Sequence, residues 1–202
     1  MFFIRILALS ILVSGCTHSY TVSLVGASFA DIGLADKHSY YRMSDWRISP
    51  TATVAIKLAE PQSVLLPRTT KQLNKMMLAK FDRHFSRFGV VAGDTIDRNI
   101  DQAFTSGHEL LIVASLIDAT NKMNTARELH FGREHQPEKR HGRDKLTIQL
   151  SIYDTQSRVL LDNITLASEA AYFKQDEALA LHLIEHSLQN LLSDLVRPAQ
   201  AS

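Results

Sequence analysis

Cysteine is nearly absent from this sequence: among 202 residues there is one, Cys16. An internal disulfide is therefore excluded, and so is a metal cage built from several thiolates. A chain of this length can rely on a hydrophobic core instead. Glycine is scarce too, with 8 residues. Neither a Gly-rich phosphate loop nor a Gly-x-Ser-x-Gly nucleophile turn occurs. Net charge is only +1, so no global field draws in nucleic acid or an anionic membrane surface. No apolar run reaches the roughly 20 residues that a spanning helix needs. What is present is a globular composition, 45% hydrophobic and 21% charged, suited to one ordinary domain plus a targeting segment. With no nucleophile turn, metal cage or phosphate loop visible, neither enzymatic activity nor a cofactor is expected.

The lone cysteine has a telling position. Arg5 supplies a positive n-region, and Ile6 to Val13 form an apolar h-region of signal-peptide length, too short to span a bilayer. This run ends in Leu12-Val13-Ser14-Gly15-Cys16. An ordinary signal peptide ends in Ala-x-Ala, which is missing here. The segment instead resembles the lipobox of bacterial lipoproteins, in which a Leu, two small or apolar residues and a small residue precede an obligatory Cys. The resemblance covers residues 1–16 and implies cleavage between Gly15 and Cys16, with diacylglycerol thioether-linked to the Cys16 thiol. Each buried methylene contributes about 0.8 kcal/mol, so several acyl chains give lasting attachment. Residue 17 is Thr rather than the Asp that retains such proteins in the inner membrane in the related sorting system. The resemblance thus implies the periplasmic face of the outer membrane.

Three segments follow: a signal peptide over 1–15, a lipidated tether over 16–50 and an α/β periplasmic domain over 51–198. The tether is too apolar to be a fully solvated linker, with Tyr40, Tyr41, Met43, Trp46 and Ile48, and part of it should pack on the domain. Thr51 to Leu58 reads as a strand. Leu73, Met76, Met77, Phe81, Phe85 and Phe88 follow a helical face, with Gly89 as a candidate C-cap and Val90-Val91 as a short strand. Asp94 or Thr95 can cap a helix through Phe104 that Gly107 ends. Leu110 to Ala114 reads as a central strand buried on both faces. Leu146 to Tyr153 alternates as a half-buried strand, turns at Asp154-Ser157 and pairs with Arg158 to Ala167. A last helix starts near Asp176 and carries a leucine stripe to Val196, with Pro198 beyond it.

This order predicts a single α/β sandwich, a mixed sheet of about five strands with about three helices. At the level of fold it resembles the N-terminal domain of TolB and small envelope lipoproteins built on it, among them the curli-secretion lipoprotein and the outer-membrane activators of peptidoglycan synthases. No residue motif carries that resemblance, so it transfers no functional residue.

Two histidine groups invite a metal reading. The polar segment from His130 to Lys145 holds three of the nine histidines, His130, His135 and His141, and five basic residues against three acids. It suits a metal loop, a basic contact for headgroups or glycan phosphate, or a partner-binding loop. A solvated long loop is favoured, because no pair of ligands has a tight spacing. His182 and His186 stand at i, i+4 on the last helix, a spacing that can bind zinc, although the sequence is not His-Glu-x-x-His, since the acid, Glu185, stands next to the second His. They lie at the edge of the leucine stripe, where boundary histidines are the plainer reading. Asp97 and Asp101 read as a solvated helix face. The expected partners are the membrane, through lipid on Cys16, and an envelope protein, with no nucleic acid; the alternative is a metal- or small-ligand-binding lipoprotein.

Overall fold

The computed structural model describes residues 30–32, 35–60, 67–120, 142–171 and 180–196, with the side chains at 67–69 and 180–183 outside that description. The strands are β1 (Lys37–Arg42), β2 (Thr53–Lys57), β3 (Arg87–Val91), β4 (Leu110–Thr120), β5 (Lys145–Asp154) and β6 (Leu160–Glu169). The helices are α1 (Pro67–His84), α2 (Ile96–Thr105) and α3 (Ala180–Leu195). The strands form one mixed sheet in the order β1-β6-β5-β4-β2-β3. The α/β class and, among the described residues, the three long helices match expectation, and the sheet has six strands rather than five. The extra strand is β1, which lies in the stretch read as tether and pairs antiparallel with β6 from Lys37↔Glu169 to Arg42↔Ile164.

The two parallel crossovers distribute the helices. The chain passes from β2 through α1 to β3, its neighbour, then through α2 back across β2 to β4. The two steps run in opposite directions along the sheet. Because parallel crossovers share one hand, their helices fall on opposite faces. Accordingly, Leu73, Met77, Phe81 and Phe85 of the α1 region join Ile184, Leu188, Leu191, Leu192 and Leu195 of α3 over one face. There they pack on Ile112, Leu150, Ile152 and Ile164 of the strands. On the other face Ile100 and Ala103 of α2 cover Ala55, Val91 and Leu111, with half-buried Val113 and Tyr153 at the edge of that cluster. This explains the mixed burial of β4: Leu110, Leu111 and Ile112 are all buried, whereas Val113 and Ser115 further on are half-buried.

The part of that face away from α2 is largely polar, with the charged Lys37, Glu169 and Lys145 at its far end. Its side chains form cross-strand rows, Tyr41–Thr165–Gln149–Ser115 and Asn163–Ser151–Val113. Gln149 Nε2 donates to Asn163 Oδ1 at 2.7 Å. Among the described residues no helix lies over these rows.

Local signals place the ends of α2. Thr95 caps its start, its hydroxyl accepting from the Arg98 N–H at 3.3 Å. At the other end Gly107, at φ 76°, donates to Phe104 O at 2.9 Å, and the His108 N–H donates to Ala103 O at 2.9 Å. This is a Schellman closure, and the left-handed residue is the glycine that tolerates it.

Gly89 is not a C-cap: it sits within β3, opposite Ala55, and α1 ends at His84. The reason for glycine is the closure just described, which swings His108 over this strand. A Cβ on residue 89 would stand 2.6 Å from His108 Nε2, below any real contact. Gly89→Ala should lower stability by about 1–2 kcal/mol through overpacking, and His108→Ala in the same chain should recover most of that loss. Urea denaturation of the four members of the cycle measures the coupling; additive effects would show that the ring swings aside without cost.

The β5–β6 hairpin is fastened at its turn. Asp154 Oδ1 accepts from the Ser157 hydroxyl and N–H, both at 2.6 Å, and these bonds hold its carboxyl below the ordinary aspartate pKa. Arg158, at φ 62°, reaches Asp101 and lies 3.8 Å from Asp97 on α2. The two acids read as a solvated face therefore also hold the turn to the helix.

Candidate functional site

The seam between β1 and α3 gathers the unusual chemistry of the described residues. In β1 the side chains alternate, so His38, Tyr40 and Arg42 point toward the helices and Lys37, Ser39 and Tyr41 point away. None of the three inward residues is aliphatic. Each finds a polar partner in β6 or α3.

Arg42 and Asp162 form the deepest pair. Arg42 Nε and Nη2 both lie 3.0 Å from Asp162 Oδ2, with the Asp162 side chain 0% and that of Arg42 10% exposed. Asp162 Oδ1 accepts from the backbone N–H groups of Met43, Ser44 and Asn163 at 3.1, 3.3 and 2.8 Å. The carboxylate is thus saturated by one guanidinium and three amides, the arrangement in which a buried charge is tolerated. Arg42 also donates to the Trp46 carbonyl. Asp194 on α3 extends the network, accepting from Tyr40 OH at 3.3 Å and lying 3.8 Å from Arg42 and 4.0 Å from Arg47. Further along, the Ile48 N–H donates to Leu195 O at 2.8 Å, closing the C-terminal end of α3.

The opposite end of the seam holds histidines. The rings of His38 and His186 stack with centroids 5.1 Å apart and 27° between planes. His38 Nδ1 lies 3.3 Å from Ser168 Oγ, which lies 2.9 Å from Ser187 Oγ, both serines being buried. His186 is exposed, and its Nδ1 lies 3.1 Å from Asn190 Nδ2.

Of the residues singled out in the sequence, Gly15, Cys16, His130, His135 and His141 lie outside the described residues, as does the side chain of His182. Among the described residues no group of three or more His, Cys, Asp or Glu is placed to hold a metal ion. His186 has a partner that spacing along α3 did not indicate: His38 comes from a strand at the other end of the chain. Its only local signal was the polar alternation His38-Ser39-Tyr40-Tyr41-Arg42, which lacks the apolar side by which a strand is usually found.

Fold and seam together define a small mixed-sheet α/β domain whose N-terminal edge strand is held by buried charge. The chain matches the model of a family described as a domain of unknown function, DUF4823, over residues 46–195, and it belongs to that family. In fold it is similar to the PelC dodecamer from Paraburkholderia phytofirmans, with a TM-score of 0.55 at 9% identity, covering 80% of this chain and 100% of that one. A substituted form of the same PelC gives 0.52 at 8% identity, covering 77% and 99%. Lipoprotein GNA1162 from Neisseria meningitidis gives 0.36 at 8% identity, covering 71% and 99%, too distant to bear on function. No curated protein matches the chain in sequence.

Proposed function

We propose that the chain is a lipid-anchored envelope protein whose α/β domain works without catalysis, as a binding or assembly module at the periplasmic face of the outer membrane. The observation that carries this reading is the single cysteine at the end of a lipobox-like run, Leu12 to Cys16, ahead of one domain. The described geometry supports it. Ahead of β1 the chain already meets the domain at buried Ala30, and the Arg42–Asp162 pair ties β1 to the sheet. From Cys16 to Ala30 the chain can span at most about 50 Å. The polar rows around Gln149 and Thr165 offer a face of hydrogen-bonding side chains for a protein partner. That PelC of this fold forms a dodecamer supports including self-assembly among the module's roles.

The test is photocrosslinking in intact cells of the native host, with a photoreactive amino acid at position 149 or 165 and, as control, at exposed Lys71 on α1. An envelope protein, or a second copy of this chain, should be captured from the sheet positions and not from the control. Absence of any specific adduct at the sheet positions would overturn the binding role.

A further inference from the structure

We propose that β1 is exchanged between two copies of this chain, each copy's β1 pairing with β6 of the other. The proposal rests on the reading of a lipid-anchored assembly module and names its partner as a second copy. The nature of the seam is the first support. No fully buried member of the apolar core comes from β1, and its inward residues His38, Tyr40 and Arg42 are only half-buried. Polar contacts hold the strand instead. Asp36 Oδ1 accepts from the Ala171 N–H at 2.7 Å, Arg143 Nη2 donates to Ala35 O at 3.4 Å, Tyr40 meets Asp194 and Arg42 meets Asp162. Each of these contacts can be remade unchanged in a second copy. Exchange therefore sacrifices no contact, only the independent freedom of two chains.

The connection after β1 supplies the second support. Only Met43, Ser44 and Asp45 join the strand to Trp46, which packs on the core, and the Ile48 N–H is fixed on Leu195 O. Within this bend Ser44 Oγ is buried and has no hydrogen-bond partner. Burying an unpaired hydroxyl is unfavourable, so the closed bend stores strain that an extended one releases. A short strained connection is the setting in which strands swap. The third support is where the chain is held. The family-matched region opens at Trp46, so β1 lies outside it, on the anchor side. A link of at most about 50 Å from Cys16 to Ala30 keeps anchored copies over one bilayer and within reach of each other. Sharing a surface raises their effective concentration, which offsets the freedom lost on pairing.

Two full-length variants with different epitope tags, Ser39→Cys and Ala167→Cys, are expressed together in the native host. These residues are opposite partners in the β1–β6 ladder. Opposite Cα atoms of an antiparallel pair stand about 4.5–5.5 Å apart, within disulfide reach. Intact cells are treated with the membrane-permeant oxidant diamide, so that bond formation does not depend on compartment. Exchange predicts a disulfide-linked heterodimer, several-fold more abundant than the product of Ser39→Cys with Lys71→Cys on α1. Tyr41→Cys with Thr165→Cys, further along the same ladder, repeats the test should the first pair disturb folding. With Ser39→Cys and Ala167→Cys in one chain, the closed form locks as a monomer and the exchanged form as a covalent dimer. Adding Ser44→Ala, which relieves the bend, should lower the dimer share at least about fivefold. Monomeric closure alone, no heterodimer above the Lys71 control, or a dimer share indifferent to Ser44→Ala would each overturn the exchange. Carbonate-washed membranes from the same cells report the anchor separately: a membrane-bound chain without heterodimer overturns the exchange alone, and a soluble chain overturns the anchor.

Discussion

Changing Cys16 to serine is expected to abolish stable membrane attachment of the processed protein. Serine has nearly the same size and lets the backbone run as before, but its hydroxyl cannot form the thioether to diacylglycerol. The size of the effect follows from chain arithmetic. One myristoyl-length chain gives a membrane association constant of only about 10⁴ M⁻¹, and lasting attachment takes two or more lipid signals. Removing every chain therefore takes the protein from durable anchoring to none. The leader provides no full substitute, since its apolar run is far below the roughly 20 residues needed to span. Mass spectrometry of the parent chain from its native host should find an N-terminal Cys16 carrying lipid mass. The variant should appear as unprocessed precursor or in the soluble fraction. The Tm of the folded domain should not change, because residue 16 precedes the family-matched region 46–195. A parent protein with an unmodified thiol, or a variant retained as firmly as the parent after salt and carbonate washes, would dismantle the anchor reading. The inner or outer membrane is a separate question, answered by density-gradient separation. Thr17→Asp should redirect the protein if residue 17 is read as it is in the related sorting system.

Much of the sheet was legible because its side chains obey simple periods. Leu146, Ile148, Leu150 and Ile152 alternate with Thr147, Gln149 and Ser151, and they are the buried and half-buried sides of β5. Thr95 and Gly107 marked the ends of α2 through hydrogen-bond chemistry that acts within a few residues. β1 escaped the period-2 rule because its inward side chains are His38, Tyr40 and Arg42. Their burial makes sense only once Asp162, Asp194 and His186 have been brought opposite them. Gly89 was misread for a similar reason. A glycine just after a helical pattern suggests a cap, but here its demand comes from His108, delivered from beyond the next helix. Phe85 and Phe88 fit the helical face by spacing, yet both lie past the end of α1, where Phe81 stacks with each at about 6 Å. The candidate site was half visible for the same cause: spacing along one helix singles out His186, while its meeting with His38 depends on the whole sheet order. Local chemistry was readable, and contacts made by long-range closure were not.

The second large effect concerns the charge buried beneath β1. Asp162→Asn should destabilise the protein by about 3–5 kcal/mol, the usual cost of leaving one member of a buried pair unmatched. The substitution keeps volume and leaves Oδ1 able to accept from Met43, Ser44 and Asn163. It removes the negative charge and sets an NH2 donor where Oδ2 accepted from Arg42, whose guanidinium is 10% exposed and has Asp194 as its next carboxylate at 3.8 Å. A domain's whole stability is about 5–15 kcal/mol, so the loss is severe. At about 2–4 °C per kcal/mol for a chain of this size, Tm should fall by roughly 6–20 °C. The damage should be greatest in β1. Among the described residues its amides pair with β6 on one side only, and hydrogen exchange should quicken there before it does in β5. A second variant separates charge from packing: Arg42→Met with Asp162→Leu removes both charges and fills their space with apolar atoms. It should be more stable than Asp162→Asn alone, because a buried ion pair contributes little net stability while a broken one costs much. Urea denaturation of the parent and both variants decides the matter. A loss below about 1 kcal/mol for Asp162→Asn would mean that the pair behaves like an exposed one. β1 would then be held by its backbone ladder and not by the charge beneath it.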